Sequence, residues 1–302
     1  MALHNLRKQK MRSFLTMLGI IIGIASVIMI TSVVAGAQSL ITNQFNSLGS
    51  NLIGVLPGAS DDKSPPAAVM GIVITTLKDS DTEAIKKIDN VAVASSYVSS
   101  TQIINWENQK MTASVYGVSS DYLKIGDYNL SKGNFFTDED KVNYSNVAVI
   151  GSQVKSDLFG DVDPLGEKIE IKQSKYTVIG VMESIGTSGF QNIDKMVFLP
   201  LTTAQKRVVG IDYIGFMRIK VNGENNMSQV LEDVILLLRD RHNIKDPSED
   251  DFTARSTADA LSALNTVTSA LNFFLVAIIA ISLVVGGIGI MNIMLADRKS
   301  VV

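Results

Sequence analysis

The sequence predicts an α+β membrane protein: two transmembrane helices with a helical stalk, joined by an outer α/β subdomain (a split βαβ arrangement) that carries an inserted β-rich subdomain. Three observations carry that prediction. No Asp, Glu, Lys or Arg occurs from Ser13 to Ser60, and none from Ala260 to Ala296. Each gap encloses an apolar stretch of 24 residues, Phe14 to Ala37 and Phe273 to Ala296. Between the gaps, short runs with strand and helix periodicity alternate, bounded by turn residues.

At 1.5 Å per residue each apolar stretch makes a helix of roughly 36 Å, enough to cross a hydrocarbon core of ~30 Å with tilt. Ala35-Gly36-Ala37 resembles a signal cleavage site, but a signal core spans only about 7 to 15 apolar residues, so an uncut anchor is expected. Arg7, Lys8, Lys10 and Arg12 precede the first span with no acid among them, which sets the N-terminus in the cytoplasm. The loop from Asp61 to Asp259 then lies outside. Its net charge of −8 makes it a poor partner for nucleic acid. The chain has no cysteine, so neither disulfides nor thiolate metal sites hold the outer domain together.

Residues 1–13 place Leu3, Leu6 and Met11, with Phe14 next, near one helical face and the bases mainly on the other. An amphipathic cytoplasmic helix is expected there, resting on anionic membrane lipid or docked on a cytoplasmic partner. In the first span (14–37), Gly19 and Gly23 form a G-x-x-x-G pair; in the second (273–296), Ser282 and Gly286 repeat the small-residue spacing, with Gly287 beside them. Small residues let helix backbones approach closely in lipid, so these are candidate packing positions. Asn292 reads as a helix–helix hydrogen-bonding amide. Ile41, Phe45, Leu48 and Leu52 continue the first helix at spacings of four, three and four, and Leu261, Leu264, Thr268, Leu271 and Leu275 precede the second span at similar spacing. These seams predict a stalk from residues 38–52 and 257–272.

The α/β subdomain is assigned to 51–119 and 210–256. It has a strand at Asn51–Leu56 and a capping box at Ser80-Asp81-Thr82-Glu83 that opens a helix to about Asn90. Strands Val91–Ile104 and Lys110–Val118 follow, turning near "NWENQ". A later helix turns Met227, Val230, Val234, Leu237 and Leu238 inward and leads to a strand at Asp251–Ser256. Residues 120–209 are rich in turns and β-formers and read as the insert, with a hairpin in "EKIEIKQSKYTVIGVME" turning at Gln173-Ser174.

No chemistry assembles from the sequence. His4 and His242 lie on opposite sides of the membrane and cannot share a metal or a triad. His242 is expected to complement a helix dipole. The acid clusters "TDEDK" (137–141) and "DPSEDD" (246–251) lack the ligand spacing of a calcium loop and are read as solvated. Trp106, at a hairpin tip, is a weak contact candidate. No phosphate-binding loop of the form G-x-x-x-x-G-K-[ST] occurs. No catalytic, cofactor-binding or metal residue is therefore assigned. The chain is expected to be a non-catalytic membrane subunit.

Four stretches together resemble one family. "ALHNLRKQKMRSFLTMLGIIIGIASVI", "NVAVIGSQVKSDLFGDVDPLGEKIEIKQSKYTVIGVME", "FLPLTTAQKRVVG" and "LVVGGIGIMNIML" are similar to the permease part of MacB-type ABC transporters, within the wider family that includes FtsX and the lipoprotein-releasing permeases. The resemblance runs from Ala2 to about Ala296. It implies a homodimeric inner-membrane permease with four membrane helices, a porter-like α/β subdomain and a sabre-like insert. It also implies a cytoplasmic ABC ATPase, binding ATP and Mg, whose motion is transmitted outward, and in tripartite pumps a periplasmic adaptor protein. By position, residues 3–14 would lie near the ATPase, Gly19, Gly23, Gly286 and Gly287 at tight helix contacts, and 37–52 and 257–272 in the stalk. Two departures stand out. No ATPase precedes "MALHNL", and the family continues past the second span into a basic loop and two further spans, so the tail 297–302 ("DRKSVV") is expected to be non-native and the chain truncated. The alternative from another class is a two-span receptor with a ligand-sensing outer domain and a missing signalling module. A surface enzyme is disfavoured for want of a convergent acid, base or nucleophile set.

Overall fold

A computed structural model describes residues 10–46, 49, 51–58, 71, 73–188 and 191–299. The chain divides into two units, 1–43 with 261–302 and 44–260. Helix α1 (Lys10–Asn46) has 37 residues, uninterrupted by proline, and is roughly 55 Å long. Among the described residues one stretch, its Ile21–Asn43, is long and apolar enough to cross a membrane.

The unit 44–260 begins with β1 (Leu52–Pro57), which buries Leu52, Ile53 and Val55 and ends at Gly58 with φ +96°. Helix α2 (Asp79–Ile85) starts one residue before the expected serine cap. The residue flanking it is Lys78, whose N–H donates to the Asp81 carboxylate at 2.8 Å. The acid two residues inside the helix thus does the work expected of Glu83, because Asp81 also has a partner elsewhere in the fold. Helical bonding stops at Ile85, and the turn that follows ends at Asn90 with φ +64°.

Strands β2 (Val91–Trp106) and β3 (Gln109–Val118) form a long antiparallel hairpin closed by Glu107-Asn108. Glu107 takes φ +49°, as a tight two-residue turn requires. The chain continues through α3 (Tyr122–Ile125), β4 (Leu130–Gly133), α4 (Asp138–Val142), β5 (Val147–Ile150) and α5 (Ser152–Phe159) to β6 (Lys168–Ile171) and β7 (Ser174–Met182). The turn between these last strands is Lys172-Gln173, one residue earlier than the sequence suggests. Ile171 faces Ser174, and Lys172 takes the left-handed conformation at φ +55°. A short pair, β8 (Thr187–Ser188) and β9 (Gln191–Asn192), precedes β10 (Met196–Pro200). Helix α6 (Leu201–Thr203) then widens into a π-helical turn, Ala204–Val209, stopped by Gly210 at φ +81°. The unit closes with β11 (Phe216–Val221), α7 (Met227–His242) and β12 (Phe252–Ser256). From there α8 (Thr257–Lys299) runs for 43 residues. Its described apolar stretch, Asn265–Ile278, is shorter than a membrane span.

All the long strands join one ten-stranded sheet in the order β12-β1-β11-β2-β3-β10-β5-β7-β4, with β6 bridging β2 and β7. From β12 to β2 every neighbouring pair is antiparallel. Beyond β3 the sense changes: β10 runs parallel to β3, and β5 parallel to β7. The segment 120–209 is an insert in the chain, yet it shares the sheet, so position 119/120 is no break in hydrogen bonding. The main core packs Ile53, Val55 and Ile219 against α7, whose Val230, Val234 and Leu238 are fully buried with Met227 and Leu237 partly so. A second core is aromatic. Tyr122 lies 4.8 Å from Phe198, and Tyr97 stacks on Phe216 at 4.4 Å, where burial pushes the Tyr97 phenol up to about 12.

The two cores predict a contrast. Phe198→Ala, at a fully buried ring, should cost about 3–5 kcal/mol, whereas Ile103→Ala, 58% exposed, should cost within ~0.5. Urea unfolding of the detergent-solubilised chain, followed by the fluorescence of its single tryptophan, reads both. Equal losses would mean that the aromatic cluster is not a core.

Candidate coupling site

The two long helices join the sheet through neighbouring strands. β1 follows α1 and β12 precedes α8, and these strands pair antiparallel with Ile53 opposite Ser256. The start of β1 therefore lies beside the end of β12. Ser256 caps α8: the Asp259 N–H donates to the Ser256 hydroxyl at 3.0 Å, and the Ser256 N–H donates back to the Asp259 carboxylate at 3.3 Å. The Thr257 hydroxyl then donates to the Leu52 carbonyl at 3.1 Å, so the first turn of α8 is bonded to the first residue of β1. "STAD" followed by an apolar run is a readable cap signature, one that the strand pattern ending at Ser256 obscures.

Within the helical unit, the Gln38 amide donates to the Asn265 side-chain carbonyl at 3.3 Å and ties α1 to α8. Neither residue belongs to the expected seam. Two amides in charge-free helices were the available signal. Of the seam positions, Ile41 and Leu261 are half-buried and Leu271 is 56% exposed. Arg7, Lys8 and Leu48 lie outside the described residues, as do the side chains of Lys10, Arg12, Phe45, Leu264 and Ser282 and the surroundings of Gly19 and Gly286. A Cβ added at Gly23 or Gly287 would meet nothing within 4 Å. Among the described residues, no helix faces these two glycines.

The last turn of α7 adds to two sequence expectations. His242 lies in that turn, as expected, and has further partners: its Nδ1 lies 2.8 Å from Asp251, and its Nε2 lies 3.5 Å from Asp81. Arg241 donates to Asp81 at 2.8 Å, and Arg239 grips Asp250 through two bonds of 2.8 and 2.7 Å. The cluster "DPSEDD" is thus not simply solvated, since two of its acids meet the cations of "RDRH" across the turn. The hydrogen bonds from Arg239 to Asp250 raise the guanidinium further above its usual range. The partnership with Asp81 was unreadable, because 160 residues separate it from Arg241.

The cluster "TDEDK" is engaged as well. Thr137 and Asp140 cap α4, and Lys141 reaches across to α2, 2.6 Å from Asp79 and 3.0 Å from Glu83. Asp79 accepts from the Ser96 hydroxyl at 2.7 Å, and Ser96 in turn bonds the Thr82 hydroxyl at 2.8 Å. Lys86, at the C-terminal cap of α2, meets Asp121, beside α3, at 3.0 Å. Segments at the start of the insert are thereby tied to the helix that follows β1. Burial opposes charge on Lys86 and Lys141, but their carboxylate partners outweigh it and raise both ammonium groups. Burial likewise pushes Asp121 up, and hydrogen bonds from Lys124 and Lys86 overcome it to hold the carboxyl below its usual value. Trp106 is half-buried and already engaged: its ring lies 4.4 Å from Phe159, and its Nε1 donates to Glu167 at 3.2 Å.

Two outcomes follow. A folded-state pKa below the unfolded value means that Asp121 contributes stability above about pH 4, lost as pH falls through its lower folded value. Urea unfolding from pH 6 to 3 should show a component absent from Asp121→Asn, and parallel curves would remove the link. Ser256→Ala should cost ~1 kcal/mol through loss of the α8 cap, read in the same assay at pH 7; an unchanged midpoint would show that the cap is idle.

The comparisons with known proteins agree with this architecture. The family model described as MacB-like periplasmic core domain matches residues 13–236. The macrolide export ATP-binding/permease protein MacB of Wolinella succinogenes is 32% identical over 298 residues, 98% of this chain and 45% of the relative. The MacB of Bdellovibrio bacteriovorus is 35% identical over 295 residues, 97% of this chain and 45% of the relative. The chain thus spans less than half the length of these curated relatives. Among solved structures, the periplasmic region of MacB from Actinobacillus actinomycetemcomitans matches with a TM-score of 0.62 at 20% identity, covering 74% of this chain and 97% of that one. The extracellular domain of the noncanonic ABC-type transporter YknZ from Gram-positive bacteria matches at 0.55 and 17%, covering 68% and 100%. The structural matches speak for the fold; the family match and the sequence identities together establish that this chain belongs to the MacB-like family of ABC-transporter permeases.

Proposed function

We propose that the chain is a permease subunit that carries the ATP-driven motion of a partner ATPase into an outer domain for efflux or release of a substrate. The observation that carries this reading is the joint described above: both long helices enter one sheet through adjacent, cross-bonded strands. A displacement of α1 and α8 would reach β1 and β12 together and pass through the sheet. Family membership supports the role, and the curated relatives are ATP-binding/permease proteins by name.

The finer points belong to the same proposal. The sequence holds no phosphate-binding loop, so ATP and Mg are assigned to a partner ATPase and no catalysis to this chain. Residues 273–296 of α8 are read as a second span, giving a multi-pass protein of the inner membrane with its large domain outside. The antiparallel order β12-β1-β11-β2, with α2 after β1 and α7 after β11, is read as two interleaved split βαβ units forming the porter-like part. The open faces at Gly23 and Gly287 are assigned to a second permease copy, with Gly19, Ser282 and Gly286 on the same helices. An adaptor protein is a partner where the assembly is tripartite. Nothing favours the receptor reading once the family is known.

Co-expression with a candidate ATPase tests the proposal. The permease should co-purify with it in mild detergent and change its rate of hydrolysis by several-fold. Failure to associate, or association without any effect on turnover, would count against coupling.

A further inference from the structure

A groove on the insert has a composition that coupling does not use. It holds about 590 Å³ and is lined by Lys172, Gln173, Ser174 and Arg207, a volume within the range of small-molecule sites. Two segments far apart in sequence form it. One is the two-residue turn between β6 and β7; the other is the π-helical turn Ala204–Val209. Such turns are rare and recur at functional sites. This one is anchored at both ends. The Gln205 side chain donates to the Tyr213 carbonyl at 2.8 Å, and the Lys172 ammonium donates to the Val208 carbonyl.

The groove lacks an anion. Arg207 is exposed and has no carboxylate partner among the described residues, and the lining of the groove includes no acid. Behind the turn, in the aliphatic core, the Tyr176 hydroxyl is fully buried. Tyr176 shares a face of β7 with Ser174. Burial pushes its phenol up, while the Ser174 hydroxyl and the Arg207 charge oppose that rise.

We propose that this groove binds a small anionic ligand of phosphate or carboxylate chemistry, held by Arg207 and Lys172 and oriented by Gln173 and Ser174. Guanidinium and ammonium supply the charge, and the amide and hydroxyl supply neutral donors of the kind that such oxyanions accept. The same chemistry is offered by a free phosphate and by the phosphodiester of a lipid headgroup.

Isothermal titration of the full chain in detergent separates these sources. Inorganic phosphate, citrate and glycerophosphoglycerol, the water-soluble headgroup of phosphatidylglycerol, would each be titrated at low salt. Saturable binding of at least one is expected, weakened about tenfold or more by Arg207→Gln and less by Lys172→Gln. Preference for glycerophosphoglycerol assigns a lipid headgroup, and preference for phosphate or citrate a soluble ligand. Unfolding midpoints of both variants verify that the fold is kept. Absence of saturable binding by all three probes, or equal binding by the wild type and Arg207→Gln, overturns the proposal.

Discussion

The outer domain depends on the register of one strand. β2 is sixteen residues long, pairs with β11 and then β6 on one side, and with β3 on the other. Its first half belongs to the antiparallel part of the sheet that carries the helices, and its second half to the insert. Because side chains alternate along a strand, a slip of one residue would turn Tyr97 out of the aromatic core and Ala94 and Ile104 out of the aliphatic one. Both cores thus fix the same register. That shared constraint is why the insert and the α/β part form one body without disulfides.

Charge reinforces this arrangement locally. The loop is acidic overall, yet several of its acids are engaged: Asp79 and Glu83 with Lys141, Asp121 with Lys86, Asp81 with Arg241, Asp250 with Arg239. These pairs are partly buried, so deleting one partner leaves the other charge poorly solvated, which is worse than never having had the pair. Their effect is therefore chiefly on which arrangement is allowed. Helix α2 is the common element, bonded to α4 through Lys141, to the start of α3 through Lys86, and to the end of α7 through Asp81.

Much of this was legible in the sequence, and the failures have physical causes. Charge-free runs betrayed both long helices, and alternation betrayed β1, β2, β3 and the inward face of α7, because burial imposes a period that survives in the residues. The β6–β7 turn slipped by a residue, since Lys, Gln and Ser all tolerate a turn and only the backbone at Lys172 decides. The sharing of one sheet by the insert was invisible, because the parallel pairing of β10 with β3 joins segments about eighty residues apart. The acid clusters misled for the same reason: local spacing can reject calcium, but it does not reveal a cation brought in from another helix. At Gly23 and Gly287 the sequence supplies a motif, and the described residues hold no partner for it.

The placement of the two helix attachments has a mechanical corollary. The start of β1 and the end of β12 lie side by side, so both attachments are at the same end of an antiparallel pair. If the attachments are displaced together, the ladder between the strands bears little relative load, because the pair moves as a unit. If they are pulled apart, hydrogen bonds open one after another, like a zipper started at its first tooth, and the Thr257–Leu52 bond is the first in line. Such a joint resists concerted translation less by its ladder than by its core and yields first to splaying, so under the proposed coupling the sheet would pass on only motions that the two helices make in common.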